Sequence, residues 1–64
     1  MEYTVTDMHE LAVRLHNLPD DWTIKRIGRM WYVHEANCGI TEGSAQNVLD
    51  ALRMAKVGDG EWKQ

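Results

Sequence analysis

Apolar residues recur at helical spacing between Asp7 and Leu18, which predicts an amphipathic helix with its apolar side toward the core. The stripe comprises Met8, Leu11, Ala12, Leu15 and Leu18. Asp7 and Glu10 resemble a capping box at the start of this helix, and Pro19 ends it because the residue before a proline avoids helical dihedral angles. The opposite, polar side carries Glu10 and Arg14 four residues apart, in the order that favours an ion pair.

Alternation of side chains next predicts two strands, Trp22–Ile27 and Met30–Glu35, joined by Gly28 and Arg29. Glycine at the first of two loop positions fits a type II′ turn, and that turn fixes the strand register. The expected cross-strand pairs are Ile27 with Met30, Ile24 with Val33, and Trp22 with Glu35. The face predicted to cover the core carries Trp22, Ile24, Trp31 and Val33. The outer face carries Thr23, Lys25, Ile27, Met30, Tyr32 and His34.

A second stretch at helical spacing, from Glu42 to Val57, predicts another amphipathic helix. Its apolar residues are Ala45, Val48, Leu49, Leu52 and Ala55. Thr41 and Ser44 compete as the N-cap of this helix. Gly58 is expected at the C′ position that follows its last turn, since glycine adopts the left-handed conformation without strain.

These elements predict an α+β fold. Two helices pack on one face of a small antiparallel sheet of two or three strands, in the order (β)αββ(β)α. A third strand is expected either from Tyr3–Val5 or from residues 37–41, and the sequence leaves this choice open. We expect a single domain over residues 1–58 and a C-terminal tail over residues 59–64.

The chain has 64 residues, with 10 acidic and 7 basic side chains and a formal net charge of −3. This acidic balance argues against non-specific binding to nucleic acid or to an anionic membrane, since phosphate contacts need clustered Lys and Arg. Neither a signal peptide nor a membrane-spanning run is evident, and the single Cys38 cannot form an internal disulfide. We therefore expect a cytoplasmic protein.

No set of side chains in the sequence has the composition and spacing of a catalytic or metal-binding centre. His9 and His16 lie about two helical turns apart, too far to bind one ion. His34 and Cys38 would need further ligands for a zinc site, and there is no second cysteine. We therefore expect no enzyme activity, no metal and no cofactor.

The hairpin is the best candidate for a binding surface. Lys25, Arg26 and Arg29 place three of the seven basic residues near its tip. Tyr32 and His34 stand beside Lys25 on the outer face. Basic residues interleaved with aromatic residues contact phosphate and stack on bases. A small RNA- or DNA-binding module is therefore the alternative function that the sequence supports.

The order of helix, hairpin and helix resembles the double-stranded-RNA-binding-like fold of HicA-type toxins. The residues that carry this resemblance are Trp22, Arg26, Gly28, Trp31 and Tyr32. Those toxins have an Arg, then Gly-Ser-His, then an aromatic strand. Here the spacing is one residue shorter, and Met30 stands at the position of the histidine that the family uses to cleave RNA. The resemblance therefore implies a catalytically inactive, dsRBD-like copy.

Two residues outside the hairpin are further candidates for partner contact. Met54 lies off the apolar stripe of the second predicted helix, where exposure would serve self-association. Trp62 stands in the polar tail, where it either folds back onto the core or anchors a partner. Unpaired strand edges also favour a homodimer with twofold symmetry.

Since a catalytic centre is not evident, the leading hypothesis is a non-catalytic protein-interaction module. We expect a small regulator or inhibitor, of the kind that phages and mobile elements encode, which occludes a larger protein such as a nucleic-acid enzyme. Its acidic side chains are available to meet a basic partner. The candidate partner-binding residues are Lys25, Arg29, Tyr32, His34, Met54 and Trp62.

Overall fold

A computed structural model describes residues 2–35 and 39–62 of the chain. For Trp62 it describes the backbone but not the side chain. In chain order these residues form α1 (Val5–His16), β1 (Trp22–Ile27), β2 (Met30–Glu35), β3 (Ile40–Ala45), α2 (Val48–Met54) and α3 (Asp59–Trp62). The strands make one antiparallel sheet in the order β1-β2-β3, which confirms the α+β class.

The hairpin of β1 and β2 has the predicted register. The expected pairs are all present: Ile27 with Met30, Ile24 with Val33, and Trp22 with Glu35. Gly28 has a φ of +61°, as the first loop position of a type II′ turn requires. The turn thereby sets which side chains face the core, and Val33 on that face is fully buried.

The third strand follows the hairpin, so the alternative strand at Tyr3–Val5 is wrong. β3 runs antiparallel to β2 and places Gly43 opposite Val33. The register shifts between Val33 and His34, an irregularity of the β-bulge type that leaves an extra residue on β3. Residues 37 and 38 of the predicted strand lie outside the described part of the chain.

The helix predicted from Glu42 to Val57 is shorter than expected, because its first part belongs to β3. Both proposed N-caps, Thr41 and Ser44, are strand residues. The N-cap is Asn47, whose Oδ1 accepts a hydrogen bond of 2.8 Å from the backbone N–H of Asp50. Asparagine is among the most favourable N-cap residues, so this local signal outweighs the helical periodicity before it.

Gly43 allows β3 to lie unusually close to α2. A Cβ atom at this position would lie 2.3 Å from the carbonyl oxygen of Ala51 and 2.7 Å from the backbone nitrogen of Ala55. Any residue larger than glycine would therefore separate the strand from the helix. Glycine within a strand commonly marks such a close approach of two backbones.

α1 begins at Val5, before the predicted start at Asp7, and it ends at His16. Thr4 is its N-cap. Thr4 Oγ1 accepts a hydrogen bond from the N–H of Asp7, and the Asp7 carboxylate accepts one from the N–H of Thr4, both at 3.1 Å. The capping box therefore pairs Thr4 with Asp7, and Glu10 has no part in it.

The end of α2 places Lys56, rather than Gly58, at the C′ position. Lys56 has a φ of +60°. The N–H of Val57 donates to the carbonyl of Leu52 and the N–H of Lys56 donates to the carbonyl of Arg53, both at 3.1 Å. These two bonds define a Schellman motif. Gly58 also has a positive φ, of +72°, and bends the chain again before α3.

The core lies between α2 and the inner face of the sheet. Its buried apolar residues are Val33, Leu49, Ala51, Leu52 and Val57. Partly buried side chains from the inner hairpin face pack against it as predicted, namely Trp22, Ile24 and Trp31. α2 contacts β2 and β3, whereas α1 packs mainly against α2 and α3. The prediction of two helices packed on one face of the sheet is therefore met only in part, because α2 covers the sheet, α1 packs on α2 and α3, and a short third helix follows.

We predict that Gly43→Ala lowers the free energy of unfolding by about 3 kcal/mol, the upper part of the range for overpacked cores. The new methyl group would meet backbone atoms of α2, which cannot move independently of the helix. Gly60→Ala is the matched control, because nothing lies within 4 Å of a Cβ at that position. Urea denaturation followed by tryptophan fluorescence measures both variants, and equal stability would contradict the close packing of β3 on α2.

Candidate functional site

α1 turns its charged side toward the protein interior. Glu10 is 1% exposed and Arg14 is 3% exposed, although the sequence places this pair opposite the predicted apolar stripe. Met8 and Leu15 of that stripe are 59% and 42% exposed, and Ala12 is exposed as well. The prediction that the stripe faces the core is therefore wrong for these three residues.

Glu10 explains this orientation, because its carboxylate lies between two arginine side chains. Arg14 Nε donates to Oε2 of Glu10 at 2.9 Å. Arg53 of α2 forms a two-pronged pair, in which Nε donates to Oε2 and Nη2 donates to Oε1, each at 2.6 Å. Two parallel hydrogen bonds between a guanidinium and a carboxylate are among the strongest polar contacts in proteins. A buried carboxylate needs such partners to offset its lost hydration.

Arg14 extends these contacts to the C-terminal part of the chain. Its Nη1 donates to the carbonyl of Val57 at 2.9 Å and to Oδ1 of Asp59. Asp59 begins α3, where the sequence predicts a tail. Arg53 Nη1 also donates to Oδ1 of Asp50 at 3.0 Å. We call the following residues the ion-pair network: Glu10, Arg14, Asp50, Arg53 and Asp59.

The arginines of the network lower the pKa of Glu10 from its ordinary value of 4.5 to about 2. The hydrogen bonds from Arg53 are the largest cause, those from Arg14 add to them, and burial acts in the opposite direction. In return, the Glu10 carboxylate raises the pKa of Arg53. Both partners are therefore charged at neutral pH, and the pair fixes the rotation of α1 about its axis.

On its other side α1 presents an exposed apolar row to solvent. We call the following residues the α1 stripe: Val5, Met8, Ala12 and Leu15. They are separated by three, four and three positions, so they line up along one side of the helix. Val5 is 84% exposed. Single exposed apolar residues are ordinary on a protein surface, and several of them aligned on one side of a helix form a candidate contact surface.

The outer face of the hairpin brings together three of the predicted partner-binding residues. Lys25 lies opposite Tyr32, and His34 follows on the same face. The rings of Tyr32 and His34 are stacked, with centroids 6.0 Å apart and an interplanar angle of 17°. The hydroxyl oxygen of Thr41 lies 3.3 Å from Nδ1 of His34. α2 covers the opposite face of the sheet, and on this face Lys25 is exposed while Tyr32 and His34 are half-buried.

The other predicted partner-binding residues are scattered. Arg29 occupies the hairpin turn, at the end of the outer face. Met54 is 60% exposed on α2, which lies on the other side of the sheet. The side chain of Trp62 lies outside the described part of the structure, and so does Cys38 of the histidine–cysteine pair. The structure therefore places Arg29 at the tip of the hairpin and Met54 on the other side of the sheet.

Reasoning from the sequence alone missed the α1 stripe as a site. Polar and apolar residues alternate around Val5, so this segment reads as a strand and the helical spacing of Val5 and Met8 is not evident. Leu11 and Leu18 form a second apolar row, and it is this row that packs against the core. One signal is present in the sequence. Two apolar rows give α1 a wider apolar arc than a single core-facing side requires.

The next two features concern a metal site and a membrane-spanning helix within the described residues. Residues 2–35 and 39–62 contain no group of three or more His, Cys, Asp or Glu side chains placed to hold a metal ion. Within the same ranges, no helix combines the length and the apolar character needed to cross a lipid bilayer.

Comparisons with protein-family models, with curated proteins and with solved structures find no match for the chain. The resemblance to HicA-type toxins therefore stays an expectation from the sequence. The α1 stripe and the outer hairpin face are the two candidate sites that the geometry defines.

We predict that Glu10→Gln lowers the free energy of unfolding by about 3–5 kcal/mol, the usual cost of removing one partner from a buried ion pair. A core of this size supplies a similar amount, so the variant should be largely unfolded at 25 °C. Glu61→Gln is the control, because Glu61 is exposed and outside the network. Circular dichroism and urea titration check both, and a Glu10→Gln variant as stable as the control would contradict the role of the network.

Glu10 also predicts how stability depends on pH. Its pKa is lower in the folded protein than in the unfolded chain, so its contribution is complete above about pH 4.5. Between pH 4.5 and about 2 the unfolded chain binds a proton that the folded protein does not, and about 3 kcal/mol is lost as the pH falls. Urea titrations at several pH values measure this loss. Constant stability across that window would contradict it.

Proposed function

We propose that this chain is a small, non-catalytic protein-interaction module, a regulator or inhibitor that inserts the α1 stripe into an apolar groove of a larger protein. The observation that carries the proposal is the inversion of α1, which buries Glu10 and Arg14 while Val5 and Met8 face solvent. A folded domain gains nothing in its own stability from such exposure, so a contact surface is the simplest reason for it.

The spacing of the α1 stripe suits recognition in a groove. Amphipathic helices that bind in apolar grooves present anchors at i, i+3 or i+4, and i+7. Val5, Met8 and Ala12 have this spacing, and Leu15 continues it. The anchors are already in place before binding, because the ion-pair network holds α1 against α2 and α3. A surface ordered in advance avoids part of the entropic cost of association.

The dimensions of α1 favour a larger partner over a second copy of this chain. A helix of 12 residues is about 18 Å long and about 10 Å wide with its side chains. Two such helices laid side by side would bury less than the ~1,200 Å² of a stable specific interface. A concave groove contacts the flanks of the α1 stripe as well as its centre, so it buries more of this short helix than a second helix would. Occupation of the groove would block other ligands of the partner.

Charge supports a partner with a basic surface beside its groove. Outside residues 22–34, the chain has 10 acidic and 4 basic side chains. Complementary charge speeds association and selects among partners. Enzymes that act on nucleic acid have such basic surfaces, so we propose this class as the target.

The test is capture of a stoichiometric protein partner from lysate by tagged protein, before and after the substitution Met8→Glu. We predict that this change abolishes capture, because it places a charge on the α1 stripe without altering the core. Ile40→Glu is the control, because it places the same charge at an apolar residue of similar exposure on β3, outside the candidate contact residues, and capture should persist. Circular dichroism confirms that both variants are folded.

A photo-crosslinking amino acid at Ala12 then locates the contact on the partner. Crosslinks to residues that line an apolar groove support the proposal. Capture that survives Met8→Glu would overturn it. Crosslinks only to a second copy of the chain would replace the groove with the homodimer that the sequence also favours, and sedimentation equilibrium would show the corresponding mass.

A further inference from the structure

The charge of the chain is strongly divided between the hairpin and the rest. The hairpin, residues 22–35, contains Lys25, Arg26 and Arg29 and one acidic residue, Glu35, so it has a formal charge of +2 with its histidine neutral. The other residues carry a formal charge of −5. The hairpin is therefore a local basic surface on an acidic protein, and it is suited to an anionic ligand.

The basic side chains are available for such a ligand. Within the described residues, Lys25 and Arg29 are exposed and make no ion pair with a carboxylate. Arg26 lies on the inner face, where its guanidinium sits 5.8 Å from the ring centre of Trp31. The basic side chains available to a ligand on the outer face are therefore Lys25, within β1, and Arg29, in the turn at its end.

Aromatic rings occupy the same face as Lys25. The strand register places the following residues on it: Thr23, Lys25, Ile27, Met30, Tyr32, His34, Thr41 and Ser44. None of these paired residues is acidic, and Glu42 is the unpaired bulge residue next to Thr41. The rings of Tyr32 and His34 are nearly parallel, with 17° between their planes. Aromatic rings on an open sheet are platforms on which unpaired bases stack.

A shallow depression of about 450 Å³ lies beside His34. Its lining consists of Thr23, Lys25, His34, Glu35 and Gly39. Glu35 is the one acidic residue in this lining, and its strand partner is Trp22 of the inner face.

We propose that the outer face of the hairpin binds single-stranded nucleic acid, with Lys25 and Arg29 contacting phosphates and Tyr32 and His34 stacking on bases. Charge complementarity selects an anionic ligand, and the aromatic pair selects one that has flat rings. Paired bases in a duplex cannot reach a flat sheet, so the ligand is single-stranded. This site is separate from the α1 stripe, and it does not depend on the proposed protein partner.

The experiment measures fluorescence anisotropy of labelled 12-nucleotide oligo(U) and oligo(dT) with the full chain at 50 and 200 mM salt. We expect binding that weakens at higher salt, as phosphate contacts require. Lys25→Glu and Arg29→Glu should each weaken binding at least tenfold. Tyr32→Ala should weaken it roughly tenfold, the effect of one lost base stack.

Lys56→Glu is the matched control, since it makes the same charge change at an exposed residue outside the hairpin. Unchanged affinity in this variant supports the hairpin as the site. Absence of binding at 50 mM salt would overturn the proposal, and so would equal weakening by Lys25→Glu and Lys56→Glu. Competition by poly-glutamate as effective as that by the oligonucleotide would reassign the surface to an acidic protein. Full binding by Tyr32→Ala would remove the stacking role.

Discussion

The structure depends on one carboxylate. Glu10 accepts hydrogen bonds from Arg14 on its own helix and from Arg53 on α2, and it is almost wholly removed from water. A buried charge can be held only where its partners stand, so the position of these arginines dictates which side of α1 faces inward. Apolar attraction has no such directionality. The electrostatic constraint therefore decides the rotation of the helix, and the apolar side chains occupy what remains.

This balance explains why the α1 stripe is exposed without unfolding the protein. The core is supplied by the sheet and by α2, whose approach is made close by Gly43. α1 contributes Leu11 at the edge of that core and otherwise binds through charge. The result is a domain with two separate accessible surfaces. One is apolar and helical, and the other is basic and lies on the far face of the sheet.

Local rules predicted the hairpin fully, because a two-residue turn beginning with Gly28 permits only one register. They failed where tertiary contacts decide. Helical periodicity extended α2 back to Glu42, but the close approach of Gly43 to that helix requires a strand. The same limit applies to the site. The strand register was enough to place Lys25 beside Tyr32. The exposure of the α1 stripe depends instead on the contact between Arg53 and Glu10, and a local sequence pattern cannot predict a contact between residues 43 positions apart.

The ion-pair network also affects the stage of synthesis at which α1 can take its final orientation. Glu10 and Arg53 are 43 positions apart in sequence, and Arg14 and Asp59 are 45 apart. During synthesis α1 is therefore made long before the residues that bury its charges, and contacts of such sequence separation form late. A nascent chain that has not yet reached Arg53 lacks the hydrogen bonds that hold Glu10 inward and thereby turn the apolar row of α1 outward. The outward exposure of the α1 stripe is thus a property that the finished chain confers on its earliest helix.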